Sequence, residues 1–409
     1  MYEQHLICRS CGNKIELGIK YTCPACGGIL EIEYDYEAMK EDLLLLDDKE
    51  HSGMWKYSHM LPVRDKDNIV TLGEGATPLL RCCRLEKEYK MSVGLYIKAE
   101  SLNPSGSFKD RPSSVGISVA KEYGAKRVVI ASSGNASAAV AAYCAGTGME
   151  CIVFVPEGTD ASKVTQAAAY GAVVIPVAGN YSNSYKMALE CSIKYGWPNI
   201  TSTFLNPYTV EADKTAAYEV WEQLGECMPD YVVIPIASGP LLVGMYKGFQ
   251  ELVRLGLASS ESRLPAMIGV QSEQCMPVTR AYLAHTPKVS GWEFPIHTIA
   301  GGISDPLIGY EQDGDLTLKI ALESGGRMCS LSEEEIADAL KQIETKAGLY
   351  CEPTSAVAVG AAAKLYKEGV IVPGAKVVCM LTGHGFKYSG REPFVQKAVN
   401  SIEELSGLL

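Results

Sequence analysis

Residues Val128–Val177 read VVIASSGNASAAVAAYCAGTGMECIVFVPEGTDASKVTQAAAYGAVVIPV. Three β-branched runs stand out, Val128–Ser132, Cys151–Pro156 and Val173–Val177, with Ala-rich helical sequence between them. Recurrence every 20 to 25 residues is the period of a βα unit. Strands that are apolar almost throughout, with helices between, predict a parallel sheet covered on both faces. Further runs at Val232–Ile236, Met267–Gln271 and Val378–Leu381 continue the pattern from about Tyr96 to the end. No internal repeat or low-complexity segment interrupts it. Upstream, Tyr36–Glu50 predicts an acidic helix, followed by irregular sequence through Asn68.

Ligands of such sheets sit at the carboxyl ends of the strands. Three strand ends run into small polar residues that open a helix or turn: Ser133-Gly134-Asn135-Ala136-Ser137, Ala237-Ser238-Gly239-Pro240 and Thr382-Gly383-His384-Gly385. Free N–H groups at a helix start favour an anion. Together they predict a site for an anionic small molecule. His384 reads as a turn residue. Residues 299–315, IAGGISDPLIGYEQDGD, read as a functional loop or lid.

Composition narrows the class. The chain has 409 residues, 47% hydrophobic and 21% charged, which suits a globular protein of two lobes and a small module. Seven Phe against 39 Gly indicate an α/β enzyme rather than an aromatic-cored sandwich. A net charge of −11 disfavours nucleic-acid partners. No unbroken apolar stretch of about 18 residues occurs, so no membrane span is expected. The start MYEQHLICRSCG lacks a basic flank leading into an apolar run, so a secretory signal is not expected.

Of 14 Cys, ten are scattered, as in a protein of the reducing cytoplasm. Four form two knuckles, Cys8/Cys11 and Cys23/Cys26. Gly12 and Gly27 let the chain turn under the sulfurs. Four thiolates make a closed tetrahedral zinc site with no open position, hence a structural one. A redox pair of C-x-x-C motifs would need a βαβ surround that is missing here. Residues 1–35 carry three basic and five acidic side chains, which argues for packing against the rest of the protein rather than against nucleic acid.

Glu100–Arg111 reads ESLNPSGSFKDR, with Lys109 among small polar residues where an Ala-rich helix begins. This string resembles the lysine segment of the threonine synthase family, fold-type II pyridoxal-phosphate enzymes of the tryptophan synthase β-subunit superfamily. Gly53–Tyr57 (GMWKY), Leu72–Leu79 (LGEGATPL), Ser132–Ala138 (SSGNASA), Cys351–Ala356 (CEPTSA) and Leu381–Gly385 (LTGHG) also match, so the resemblance spans nearly the whole chain.

The resemblance implies two open parallel-sheet α/β lobes with the cofactor between them. Residues 36–409 would form this catalytic region, with a smaller lobe at about 105–215 inside the larger, after a zinc ribbon at 1–35. It implies that Lys109 condenses with the cofactor aldehyde and then acts as base at the substrate α-carbon. Asn135 would bond the cofactor's phenolate oxygen, and Thr382 its pyridine nitrogen. Ser133, Gly134, Ala136 and Ser137 would seat the substrate carboxylate. The family's phosphate cup, G-N-x-G-N, is here Ala237-Ser238-Gly239-Pro240-Leu241, followed by Leu242. Pro240 has no N–H, but Ser238, Gly239, Leu241 and Leu242 can donate. Members of the family are commonly dimers, so a homodimer is expected.

The family's substrate-phosphate stretch, N-S-x-N-P-Y-R, departs here, with Phe204 at its Ser position and Thr209 at its Arg position. That speaks against a phosphorylated substrate. The expectation is therefore a lyase or synthase acting on a small amino acid by β- or γ-elimination or replacement, a paralogue with an unphosphorylated substrate. Alternatives are threonine synthase proper, an amino-acid ammonia-lyase of the dehydratase type, and a non-catalytic subunit that no longer holds cofactor.

Overall fold

The computed structural model describes residues 2–42 and 52–391. The chain opens with β1 (Glu3–Cys8), β2 (Lys14–Ile15) and β3 (Leu30–Tyr34), an antiparallel sheet in the order β2-β1-β3. Alternate residues of β3, Leu30, Ile32 and Tyr34, are buried, as period-two patterning requires. They join one apolar core with Tyr218 and Phe249 from the helices Pro207–Gln223 and Pro240–Arg254. Tyr21 Oη accepts from Asn199 N at 2.8 Å and Lys247 Nζ donates to Ile32 O at 3.1 Å. The N-terminal module is thus docked on the protein, as its charge balance predicts.

β4 (Leu79–Arg81) and β5 (Gly94–Lys98) begin a larger sheet. The chain then leaves it to build β6 (Arg127–Ala131), β7 (Glu150–Pro156) and β8 (Val173–Val177), a parallel sheet in the order β6-β7-β8. It returns with β9 (Tyr231–Pro235), β10 (Ala266–Ser272), β11 (Arg327–Leu331) and β12 (Lys376–Met380). The larger sheet has the order β11-β10-β9-β12-β5-β4, parallel except for β4. Two sheet-bearing lobes, with β6–β8 falling between β5 and β9 in the chain, are the architecture the resemblance implies. Apolar clusters cover both faces of the sheets in the two lobes. Val128, Ile130 and Val153 face one side of the smaller sheet, and Val129, Ile152 and Phe154 face the other.

The six apolar runs all fall on strands, each within two residues of the expected limits. Pro176 sits in β8, an edge strand, where a missing N–H is tolerated. The acidic helix is present over Tyr36–Asp42; its expected continuation to Glu50 lies outside the described residues. The sequence read as irregular up to Asn68 contains short 3₁₀ turns at Gly53–Met60 and Lys66–Asn68. No helix among the described residues is long and apolar enough to cross a membrane.

Candidate active site

Parallel register brings the carboxyl ends of β5, β9 and β12 to one edge, with Lys98 opposite Met380 and Cys379 opposite Val233. A cavity of ≈ 270 Å³ opens between this edge and the end of β6. Lys109, Ser133, Gly134, Asn135, Ala136, Ser238, Gly239, Leu241 and Thr382 all line it. Three strand-end loops and the lysine segment, far apart in sequence, therefore converge as predicted.

Lys109 immediately precedes the helix Asp110–Glu122. Its loop is pinned to the end of β12, Phe108 N donating to Thr382 O at 2.9 Å. Asp110 accepts from Ser105 N at 3.1 Å and Ser105 Oγ at 2.8 Å. Arg111 turns away from the cavity. Its guanidinium donates to Glu100 at 2.7 and 2.8 Å and twice to Glu219 at 2.8 Å. Lys109 Nζ donates to Ser202 Oγ and lies 4.2 Å from the centre of the Phe108 ring. Burial pulls its pKa down to about 8, against the opposing pull of Asp213, Asp305 and Glu352. An amine that loses its proton near neutrality suits both nucleophile and base.

Asn135 opens the helix Asn135–Thr147 and donates Nδ2 to Glu352 at 3.0 and 3.2 Å. Burial raises the Glu352 carboxyl, and the Asn135 bond, Lys387 and Lys109 oppose it. Thr382 Oγ1 lies 3.3 Å from Ser355 Oγ, which also donates to Gly383 O at 3.0 Å. The Ser238–Leu241 turn is locked from behind, with Thr317 Oγ1 donating to Ser238 O at 2.6 Å. Gly239 there has φ +103°, and a Cβ at that position would meet Thr317 Oγ1 at 2.3 Å, so only glycine fits. Pro240 follows as the first residue of a helix, where its lost N–H costs the helix nothing.

Two expected residues are placed differently. Ser137 is buried with Oγ donating to Gly134 O at 2.8 Å, the bond of a helix turn, and does not line the cavity. Leu242 is also buried outside the wall. Thr209 and Phe204 lie in the core as well. Thr209 Oγ1 donates to Asn206 O at 2.8 Å, and Phe204 N donates to Asp313 Oδ2 at 3.1 Å. Lys214, in the middle of the helix Pro207–Gln223, is buried against Glu211 at 2.7 Å and Glu251 at 3.1 Å.

The wall also contains groups that sequence reading did not single out: Phe108, Tyr181, Ser202, Asp305, Glu352 and Thr354. Among the described wall residues Lys109 is the one cation, and Asp305 and Glu352 are the two carboxyl groups. Signals for them existed. Glu352 lies within the CEPTSA motif and Asp305 within the Gly- and Asp-rich stretch read as a loop.

Residues 70–383 match the family described as pyridoxal-phosphate dependent enzyme. The chain belongs to that family. Among curated relatives it is 39% identical to a threonine synthase of Methanocaldococcus jannaschii over 93% of this chain and 92% of that one. It is 37% identical to a threonine synthase of Methanosarcina acetivorans over 94% and 92%. Its fold is similar to maize serine racemase, with a TM-score of 0.63 and 22% identity over 76% of this chain and 88% of the other. It is also similar to a threonine deaminase of Solanum lycopersicum, with a TM-score of 0.62 and 21% identity over 81% and 82%. The chain is thus a pyridoxal-phosphate-dependent enzyme of fold-type II, related to the threonine synthases. The donor set fits the cofactor: a buried amine for its aldehyde, an amide and a hydroxyl for its ring, and a glycine turn at a helix start for its phosphate.

The sulfur atoms of Cys8, Cys11, Cys23 and Cys26 lie within 4.8 Å of one another, with close pairs at 3.4, 3.5 and 3.7 Å. Tetrahedral zinc with bonds of about 2.3 Å would separate its sulfurs by about 3.8 Å. All 14 cysteines are free of disulfides.

Proposed function

We propose that this enzyme eliminates or replaces a β- or γ-substituent of a small, unphosphorylated amino acid. The observation that carries this reading is the cavity wall, where Lys109 is the one cation among the described residues. A phosphate dianion brought there would lose its hydration beside two carboxyl groups and find no cation other than Lys109, which is committed to the cofactor. The argument rests on the wall, because Thr209 and Phe204 do not reach it.

When bound, pyridoxal phosphate withdraws electrons from the α-carbon of the amino acid it holds. Lys109 holds the cofactor and then moves the proton at that carbon. N–H groups at the start of the helix Asn135–Thr147, with Ser133, Gly134 and Ala136, seat the substrate carboxylate. Ser238, Gly239 and Leu241 hold the cofactor phosphate through backbone N–H groups. Asn135, kept in place by Glu352, bonds the phenolate oxygen. Thr382 donates to the pyridine nitrogen, and Ser355 can turn to donate to Thr382 in exchange. A hydroxyl does not hold that nitrogen protonated as a carboxylate would, which suits elimination and replacement.

The deciding measurement is the steady-state rate with O-phosphohomoserine. Activity on it is expected to be negligible, and a kcat/KM of about 10⁴ M⁻¹s⁻¹ or more would overturn the unphosphorylated reading. It would instead favour the second reading, threonine synthase itself, which is the activity named for the curated relatives at 39% and 37% identity.

Residues 1–35 we read as a structural zinc ribbon and 36–409 as the catalytic region, with the smaller lobe at about 105–215. Metal analysis of purified protein should give close to one zinc per chain, lost in Cys23→Ser. Because β3 shares its core with the helices Pro207–Gln223 and Pro240–Arg254, metal loss should also lower the unfolding midpoint. Metal-free protein with an unchanged midpoint would refute a structural zinc.

A further inference from the structure

Cofactor, carboxylate and α-proton are all accounted for without Asp305, yet its carboxyl is held on the cavity wall with care. Oδ1 accepts from Tyr310 Oη at 2.5 Å and from Leu307 N at 3.0 Å. The turn that delivers the second bond puts Leu307 at φ +52°, a left-handed conformation that costs a non-glycine residue about 1–2 kcal/mol. Cys275 Sγ donates to Asp305 O at 3.3 Å, and the Tyr310 ring stacks on Tyr185 with centroids 4.6 Å apart. Tyrosine and strained turn thus fix one carboxyl oxygen, while the cysteine holds the backbone carbonyl of the same residue. Among the described residues, Oδ2 has no protein hydrogen-bond partner.

Burial raises the Asp305 carboxyl; its two hydrogen bonds and the charge of Lys109 oppose the shift without cancelling it. Lys109 is the one cation on the wall, and it is committed to the cofactor in the working enzyme. A half-buried carboxylate with one free oxygen and no dedicated partner is costly unless the ligand brings the positive charge. We propose that Asp305 selects a substrate whose side chain ends in an amine, a small diamino acid, by pairing Oδ2 with that side-chain ammonium. This rests on the Lys109 reading above and goes beyond it in naming the chemistry at the far end of the substrate.

The test compares ligands that differ in one group. Holoenzyme is titrated with L-2,4-diaminobutyrate and with L-homoserine, which carries a hydroxyl where the former carries the ammonium. Binding is read from the cofactor absorbance, with L-2,3-diaminopropionate and L-ornithine as a ruler of length. A charge-assisted bond predicts about 10- to 100-fold tighter binding for at least one of the short diamino acids than for homoserine. Asp305→Asn should remove that preference, weakening the diamino acid while homoserine binding and cofactor retention stay within about twofold. Equal wild-type affinity for homoserine and for every diamino acid overturns the proposal without recourse to any variant. So does an Asp305→Asn protein that weakens both ligand types alike. A wild-type protein with no cofactor absorbance at all would instead overturn the Lys109 reading, and this proposal with it.

Discussion

Lys109→Ala is expected to fold normally and to lose activity by about 10³-fold or more. Stability should survive because the amine holds little of the structure. Among the described residues its one hydrogen bond is to Ser202 Oγ, and its loop is pinned instead by Phe108, Asp110 and Arg111. Removing a buried amine also removes its desolvation cost. Lys109→Arg should not restore activity, since a guanidinium stays protonated and is no nucleophile. The pH dependence separates this role from a merely structural one. Cofactor capture by cofactor-free wild-type protein needs the neutral amine, so its rate should rise as pH increases through about 8, where burial places this lysine, rather than near the usual 10.5. Borohydride reduction and peptide mapping should find the pyridoxyl group on residue 109. A label on another lysine, or an active Lys109→Ala protein, would remove the assignment.

How much of this was legible in the sequence follows from distance along the chain. Strands buried on both faces announce themselves by composition alone, and their ends deliver Asn135, Ser238 and Thr382 to one cavity. Strands that were not anticipated have local reasons. β5 ends in Lys98, whose charge reads against burial until Glu219 is found 2.5 Å away across the fold. β11 is an edge strand containing Arg327 and Ser330, and β4 has three residues. The site shows the same division. Lys109 and the strand-end loops are local patterns. Glu352 meets Asn135 across 217 residues of sequence, and Asp305 acquires its meaning from the turn at Leu307 and the hydroxyl of Tyr310. No spacing rule carries such contacts. Phe204 and Thr209, read as replacing the family's phosphate ligands, show a related limit. A position matched to a family stretch does not say which way its side chain points, and here both point into the core.

Arg111→Leu is expected to destabilise the protein by about 3–5 kcal/mol, the cost of removing one partner of a buried ion pair. The guanidinium is wholly buried between Glu100 and Glu219, which are buried too, and it also donates to Thr215 Oγ1 at 2.9 Å. Lys98 completes the cluster on Glu219, so two cations balance two carboxylates. Leucine would leave those carboxylates with one cation between them. Arg111→Lys keeps the charge but not the two forked contacts, so it should fall between wild type and Leu. The pH dependence is the discriminating observation. Burial pushes Glu219 up, but Arg111 and Lys98 outweigh it and hold the group at about 2. Glu100 is lowered in the same way, burial opposing and Arg111 prevailing. A carboxyl held below its unfolded value of 4.5 contributes stability that is present above that pH and is lost as pH falls toward about 2. Wild type should therefore lose stability across that window. In Arg111→Leu burial acts with less opposition, both carboxyls rise, and protonation relieves them, so the gap between variant and wild type should narrow as pH drops. Denaturant midpoints measured between pH 7 and pH 3 give the answer. A gap that stays constant with pH would mean that Arg111 acts through packing, not charge. Because Arg111 stands two residues from Lys109 at the start of the same helix, the loosened variant should also show a lower kcat at temperatures where it remains folded.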